Sequence, residues 1–206
     1  RIDNLTSVYA SVCAIIDCDP SGVAVCACFD NEEIGSMTRQ GARSSLLLSV
    51  LRKLNRALGK TDDDFLSAVD NGMLLSADNG HAVHPAHPEK SDPAIAPVIG
   101  GGVVVKHHVN YATDGLSSAA IKILAKTRGV RIQEYYNRSD ARCGSTLGPM
   151  ASAITGLGAC DVGLAQLAMH SALETVGYDD IAEMQKLMTA FFSASFVKTS
   201  DGLKVD

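Results

Sequence analysis

The chain has 206 residues, 46% of them hydrophobic, which is enough for one globular domain with a substantial core. Its 23 acidic and 18 basic side chains are interspersed and leave a net charge of -5, so neither nucleic acid nor an anionic membrane finds a basic surface here. No apolar run approaches the ~20 residues that cross a bilayer, and the opening RIDNLTSVYA lacks the layout of a secretory signal, so a soluble protein is expected.

The chain opens at Arg1, without Met, in what already reads as the mouth of a helix, and upstream sequence is expected to be missing. Asn4 or Thr6 can cap a helix whose apolar positions include Leu5, Val8, Val12, Ile15 and Ile16, ending near Asp19-Pro20-Ser21-Gly22. Val23 to Phe29 is short, apolar and rich in β-formers, which predicts a strand buried on both faces that runs into Asp30-Asn31-Glu32-Glu33. From Arg43 to Leu58 the residues Leu47, Val50, Leu51, Leu54 and Leu58 keep helical spacing, with Arg52, Lys53 and Arg56 opposite, which predicts a surface helix packed on a sheet. Met73 to Ala77 reads as a second strand and also ends on a carboxylate, Asp78.

A Pro-rich loop follows, and then Gly100-Gly101-Gly102 turns into the β-branched run Val103-Val104-Val105. Leu116 to Ala125 is expected as helix, Val130 to Tyr136 as strand, and Thr146 to Ile154 as helix after a turn at Gly144. A last helix, about Asp179 to Phe196, carries Ile181, Met184, Leu187, Met188, Phe191 and Phe192 on one face. The alternation predicts a single α/β domain with helices on both faces of the sheet, a three-layer α/β/α sandwich. In open sheets of this kind ligands gather beyond the carboxyl ends of the strands, where Glu32, Glu33 and Asp78 fall.

Six cysteines without a CxxC pair read as reduced, structural thiols rather than a zinc site. Taken singly, the carboxylates have dull explanations: Glu32-Glu33 as solvated surface, Asp78 as a loop residue, Asp3 as a helix cap. His81, His84 and His87 cannot line one helix face because Pro85 and Pro88 interrupt it, and His170 in an apolar stretch is often a satisfied core residue.

Considered together, the stretches RIDNL, DNEEIGSMTRQGA, SADNGHAVHP, VVVK, NRSDARCGSTLGP and GLAQLAMHS resemble, in order and spacing, the aspartyl aminopeptidase family of metallopeptidases, the M18 family. The resemblance runs nearly end to end and places this chain in the C-terminal part of the catalytic domain. It implies hydrolysis of N-terminal residues from peptides, with Asp or Glu preferred, by a cytoplasmic enzyme holding two divalent metal ions, zinc first, with manganese or cobalt compatible. It implies Asp3 as the bridging ligand, Glu33, Asp78 and His170 as the other ligands present, and Glu32 as the uncoordinated general base. Carboxylate and imidazole are donor types that such ions accept.

The resemblance also implies that one histidine ligand lies upstream, since none of the six histidines precedes His81. An inserted domain that supports homo-oligomer assembly would lie upstream too. Substrate-side roles fall on His81, Lys106, Tyr111, Gly144, Ser145 and Thr146, with the Lys106 ammonium favouring an acidic residue by charge. Ala86 departs from the family, where asparagine is common. The other expectation is a fragment or subunit that folds or assembles without catalysing anything.

Overall fold

A computed structural model describes residues 1–206. In chain order its elements are α1 (Ile2–Asp17), α2 (Leu46–Ala57), α3 (Asp62–Asn71), β1 (Met73–Ala77), β2 (Gly80–His81), β3 (Val103–His107), α4 (Gly115–Arg128), β4 (Ile132–Tyr136), α5 (Gly148–Thr155), β5 (Gly158–Leu167), β6 (Thr175–Val176), α6 (Tyr178–Ser193), β7 (Phe196–Thr199) and β8 (Gly202–Val205). No helix is long and apolar enough to cross a membrane.

The main sheet runs β1-β5-β3-β4, with β2 and β6 added to the far end of β5, and β7 pairs only with β8. β5 is parallel to β1 and antiparallel to β3, so the sheet is mixed. Helices flank it, as the alternation predicts. Val103, Val105, Cys160, Val162 and Leu164 face the helical side, where Ile121 and Leu124 of α4 and Met184, Leu187 and Met188 of α6 bury them in the main core. The other face carries Val104 and Ala165 with Ala82 of the Pro-rich loop, and there the start of α5 presses on Asp161.

β5 is the strand the sequence concealed. Its run Gly158-Ala159-Cys160-Asp161-Val162-Gly163-Leu164-Ala165-Gln166-Leu167 is almost wholly buried, including Asp161 and Gln166. A strand covered on both faces shows no alternation to announce it, and the polar residues within break its apolar run. Gly163 is required here, because a Cβ would collide with the carbonyl of Asp78 where the chain leaving β1 passes over β5. α3 is also absent from the expected elements, although Thr61 and Asp64 form a reciprocal capping box at its start.

Three expectations need correction. Val23 to Phe29 forms no strand: it pairs with no other segment, and none of its residues is fully buried. β-propensity supplies a conformation, but a ladder needs a neighbouring backbone, and none of this chain lies alongside. Its side chains instead line a cavity of about 900 Å³ shared with α1, α2, α3 and β1. α2 packs on α3 and α5 rather than on the sheet. In α1 the buried residues are Ser7, Ala10 and Ala14, whose small side chains let α6 approach closely, whereas Leu5 and Ile16 stand 61% and 74% exposed.

Candidate active site

The Asp30–Ser36 segment folds into a tight turn. Asn31 takes a left-handed backbone (φ 63°), its side-chain carbonyl accepts from the Thr38 hydroxyl at 2.7 Å, and Glu32–Ile34 forms one 3-10 turn closed by Gly35 N–H on the Glu32 carbonyl. Adjacent residues of such a turn project about 120° apart, so Glu32 and Glu33 serve different directions. Glu33 meets His170, whose Nε2 lies 2.8 Å from Glu33 Oε1 and 3.1 Å from Asp3 Oδ2. One donor atom from each of Asp3, Glu33 and His170 lies within 4.8 Å of the others.

Asp3 reaches this point because the backbone at Asp3 and Asn4 departs from helical geometry at the mouth of α1. Asn4 Nδ2 then donates to the Ala77 carbonyl at 2.7 Å, and buried Asn79 donates to Thr6 Oγ1 at 3.0 Å and to Gln166 Oε1 at 2.8 Å. These amides bolt the mouth of α1 to the ends of β1 and β5. His170 follows β5 in a loop where both Ala168 (φ 55°) and His170 (φ 65°) are left-handed, a conformation costly for residues with a Cβ. That loop is secured by Glu174, which sequence reasoning passed over. Its carboxylate accepts the backbone N–H of His170 at 2.7 Å and of Ile2 at 2.6 Å.

The electrostatics are those of crowded carboxylates. Burial first, then Asp78 and Glu33, push Asp3 up to about 6 from 3.8, against the His170 hydrogen bond. Burial, then Asp78, Glu33 and Asp3, push Glu32 up to about 7 from 4.5, with only Lys106 opposing. For His170, desolvation works against the proton, but Glu33 and Asp3 outweigh it and its pKa rises. Asp3 Oδ1 is buried with no hydrogen-bond partner. An orphaned carboxylate oxygen among like charges is costly in a protein and welcome beside a dication, so the donor set fits a divalent metal ion.

Asp78 acts on the Asp3 carboxyl at close range but lies outside that three-residue cluster. Lys106, only 1% exposed, reaches it with Nζ at 2.8 Å from the Asp78 carbonyl, 3.3 Å from the Asn79 carbonyl and 3.4 Å from Asp78 Oδ2, under the ring of Tyr111. Tyr111 accepts a hydrogen bond from the Cys143 thiol at 3.3 Å. Gly144 and Ser145 are exposed beside it, whereas Thr146 is buried, its hydroxyl donating to Asp161 at 2.5 Å. His81 lines a polar cavity of about 640 Å³ with Arg138, Arg142 and Tyr135, and desolvation, then His170 and Lys106, lower its pKa.

A family model described as "Aminopeptidase I zinc metalloprotease (M18)" matches residues 1–192. The chain belongs to the M18 family. Among curated M18 relatives, a probable M18 family aminopeptidase 2 of Mycobacterium leprae is 46% identical over 94% of this chain, and one of Stutzerimonas stutzeri is 38% identical over 95%. The match covers 46% and 45% of those proteins, so the M18 chain spans about half the length of the curated relatives it matches. The crystal structure of yeast aminopeptidase 1 superposes with a TM-score of 0.80 at 31% identity, covering 93% of this chain and 44% of that one. A Thermotoga maritima M18 aminopeptidase, at 24% identity and TM-score 0.83, shares the fold.

Proposed function

We propose that this M18 chain supplies most of the active site of a metal-dependent aminopeptidase, with Glu32 as general base. One observation carries the reading: Asp3, Glu33 and His170 converge within 4.8 Å, with Glu32 beside them and outside the cluster. Asp3, Glu33 and His170 would hold one divalent ion. Asp3 and Asp78 would hold a second, together with a histidine from the remainder of the protein. Zinc is the metal named for the family, and the two-ion count rests on Asp78 lying against Asp3.

When bound, the ions supply Lewis-acid polarisation of water and of the scissile carbonyl. The chain's own part is proton handling and positioning. Glu32, its proton affinity raised by the surrounding carboxylates, accepts a proton from the attacking water at its carboxylate and passes it to the departing amine. The Tyr111, Gly144 and Ser145 wall and His81 flank the place where a peptide would lie.

An acidic N-terminal residue is the proposed preference, through the Lys106 ammonium. Its donors are taken by the Asp78 and Asn79 carbonyls and its nearest counter-charge is Asp78 Oδ2 at 3.4 Å, a carboxylate that the second ion would share, so the ammonium would act on the substrate through space rather than by direct contact. Peptides are thus the proposed substrates. One related structure is described as an S. cerevisiae mApe1 dodecamer, and a homo-oligomer is proposed for the whole protein here.

The deciding experiment is Glu32→Gln in the full-length protein. It is expected to lower kcat by at least about a hundredfold, the usual scale of a lost general base, with zinc content unchanged by elemental analysis. Turnover at the parent rate sinks the assignment.

A further inference from the structure

Resting on the metal-centre reading, we infer that Glu174 is a positioning residue that fixes the separation of two metal ligands, Asp3 and His170, by gripping the backbone beside each. The two ligands are 167 residues apart in sequence and lie on unrelated elements, the mouth of α1 and the loop after β5. Glu174 joins them. Oε2 accepts from Ile2 N at 2.6 Å and Oε1 from His170 N at 2.7 Å, so one carboxylate spans the gap. Its side chain is 4% exposed although it sits near the surface.

Two further features agree with this role. Ala168 and His170 are both left-handed, a conformation that persists only when surrounding bonds fix it, and the Glu174 bond reaches the second of the two. Ile2 precedes Asp3 directly, where the backbone leaves helical geometry, so the grip on the Ile2 N–H falls one peptide before the bond that enters Asp3. Without the caliper, each ligand would still be present, but the distance between them would no longer be set. A metal would then have to organise its own ligands as it binds.

Glu174→Gln tests this in the full-length protein. A glutamine can accept one of the two N–H groups but sets its own NH₂ against the other. Zinc affinity, measured by competition with a chromogenic chelator, is expected to weaken about 10- to 100-fold, as when outer partners of metal ligands are lost, and kcat should return toward the parent value at saturating zinc. A residue serving stability alone would reduce the folded fraction without changing the affinity of what remains, and excess zinc would not restore turnover per folded molecule. Parent affinity in the variant overturns the proposal.

Hydrogen exchange in the chelated proteins supplies a readout that does not depend on activity. Faster exchange at the Ile2 and His170 amides, with β3 and β5 unchanged, supports the caliper, and equal exchange overturns it. If the parent itself binds no divalent ion, the metal-centre reading fails, and the exchange comparison alone then decides the caliper. If Glu174→Gln does not fold, Glu174→Asp, which keeps the charge but is too short to reach both amides, takes its place with the same expected outcomes.

Discussion

At the scale of single residues, the site is a problem of excess negative charge, and Lys106 is the cation built to offset it. Its amine is buried and held by two carbonyls and the Asp78 carboxylate, so it has no freedom to move toward a substrate. Lys106→Met should lower the ratio of kcat/KM for N-terminal Asp over N-terminal Leu by about tenfold, the worth of one lost charge pair in a poorly hydrated site. Chromogenic Asp and Leu substrates assayed in parallel check this, and an unchanged ratio would reduce Lys106 to a support for the Asp78 carbonyl. The carboxylates and His170 could be named from the ordered motifs of the sequence because each is the chemical end of a recognisable stretch. Glu174 and Asn79 could not, because their work is done on backbone groups, and a residue that bonds to main chain leaves no pattern of partner types.

At the scale of elements, the loops that flank the site are sewn to the sheet by one buried carboxylate. Asp161 of β5 accepts from Ser76 of β1 at 2.6 Å, from Thr146 at 2.5 Å and from the Ala112 backbone at 2.6 Å, while Asn110 donates to the Cys143 carbonyl at 3.0 Å. Thr146→Val keeps the shape of the side chain and removes one donor to a charged, fully buried acceptor. It is expected to cost about 1.5–3 kcal/mol, the range for hydrogen bonds to charged groups. Urea unfolding with the Thr146→Ser variant alongside, which keeps the hydroxyl, checks the assignment, and equal losses in both would place the cost in packing instead. The helices α4 and α6 and the strands β1, β3 and β4 were legible because each has a surface face or a turn signal that gives it a period. β5 was not, since burial on both faces erases the period. Val23 to Phe29 misled in the opposite sense, because its composition is that of a strand and only the neighbouring backbone decides whether it becomes one.

At the scale of the whole molecule, the carboxylate cluster makes stability depend on both pH and metal. In the metal-free protein Asp3 and Glu32 hold protons up to about 6 and about 7, against ordinary values of 3.8 and 4.5. The native state therefore binds more protons than the unfolded chain through that window, and stability falls as pH rises across it. The penalty is absent below the ordinary values and complete above the raised ones. His170, also raised, contributes stability that is lost in the same direction, whereas His81 and His107, both lowered chiefly by desolvation, favour unfolding as the medium turns acidic. Because these terms overlap, the parent's curve alone cannot isolate the cluster, but a difference can. Glu32→Gln removes one raised group and none of the histidines, so its stability relative to the chelated parent should rise from pH 5 to about pH 7 and level off above it. Added zinc binds only the folded state and turns the same carboxylates into favourable neighbours, so the advantage of the variant should shrink or reverse when the metal is restored. Urea midpoints for both proteins, with and without zinc, at several pH values measure this. A gap between them that ignores pH would mean that the crowding of Glu32 by Asp78, Glu33 and Asp3 is relieved some other way than by a bound cation.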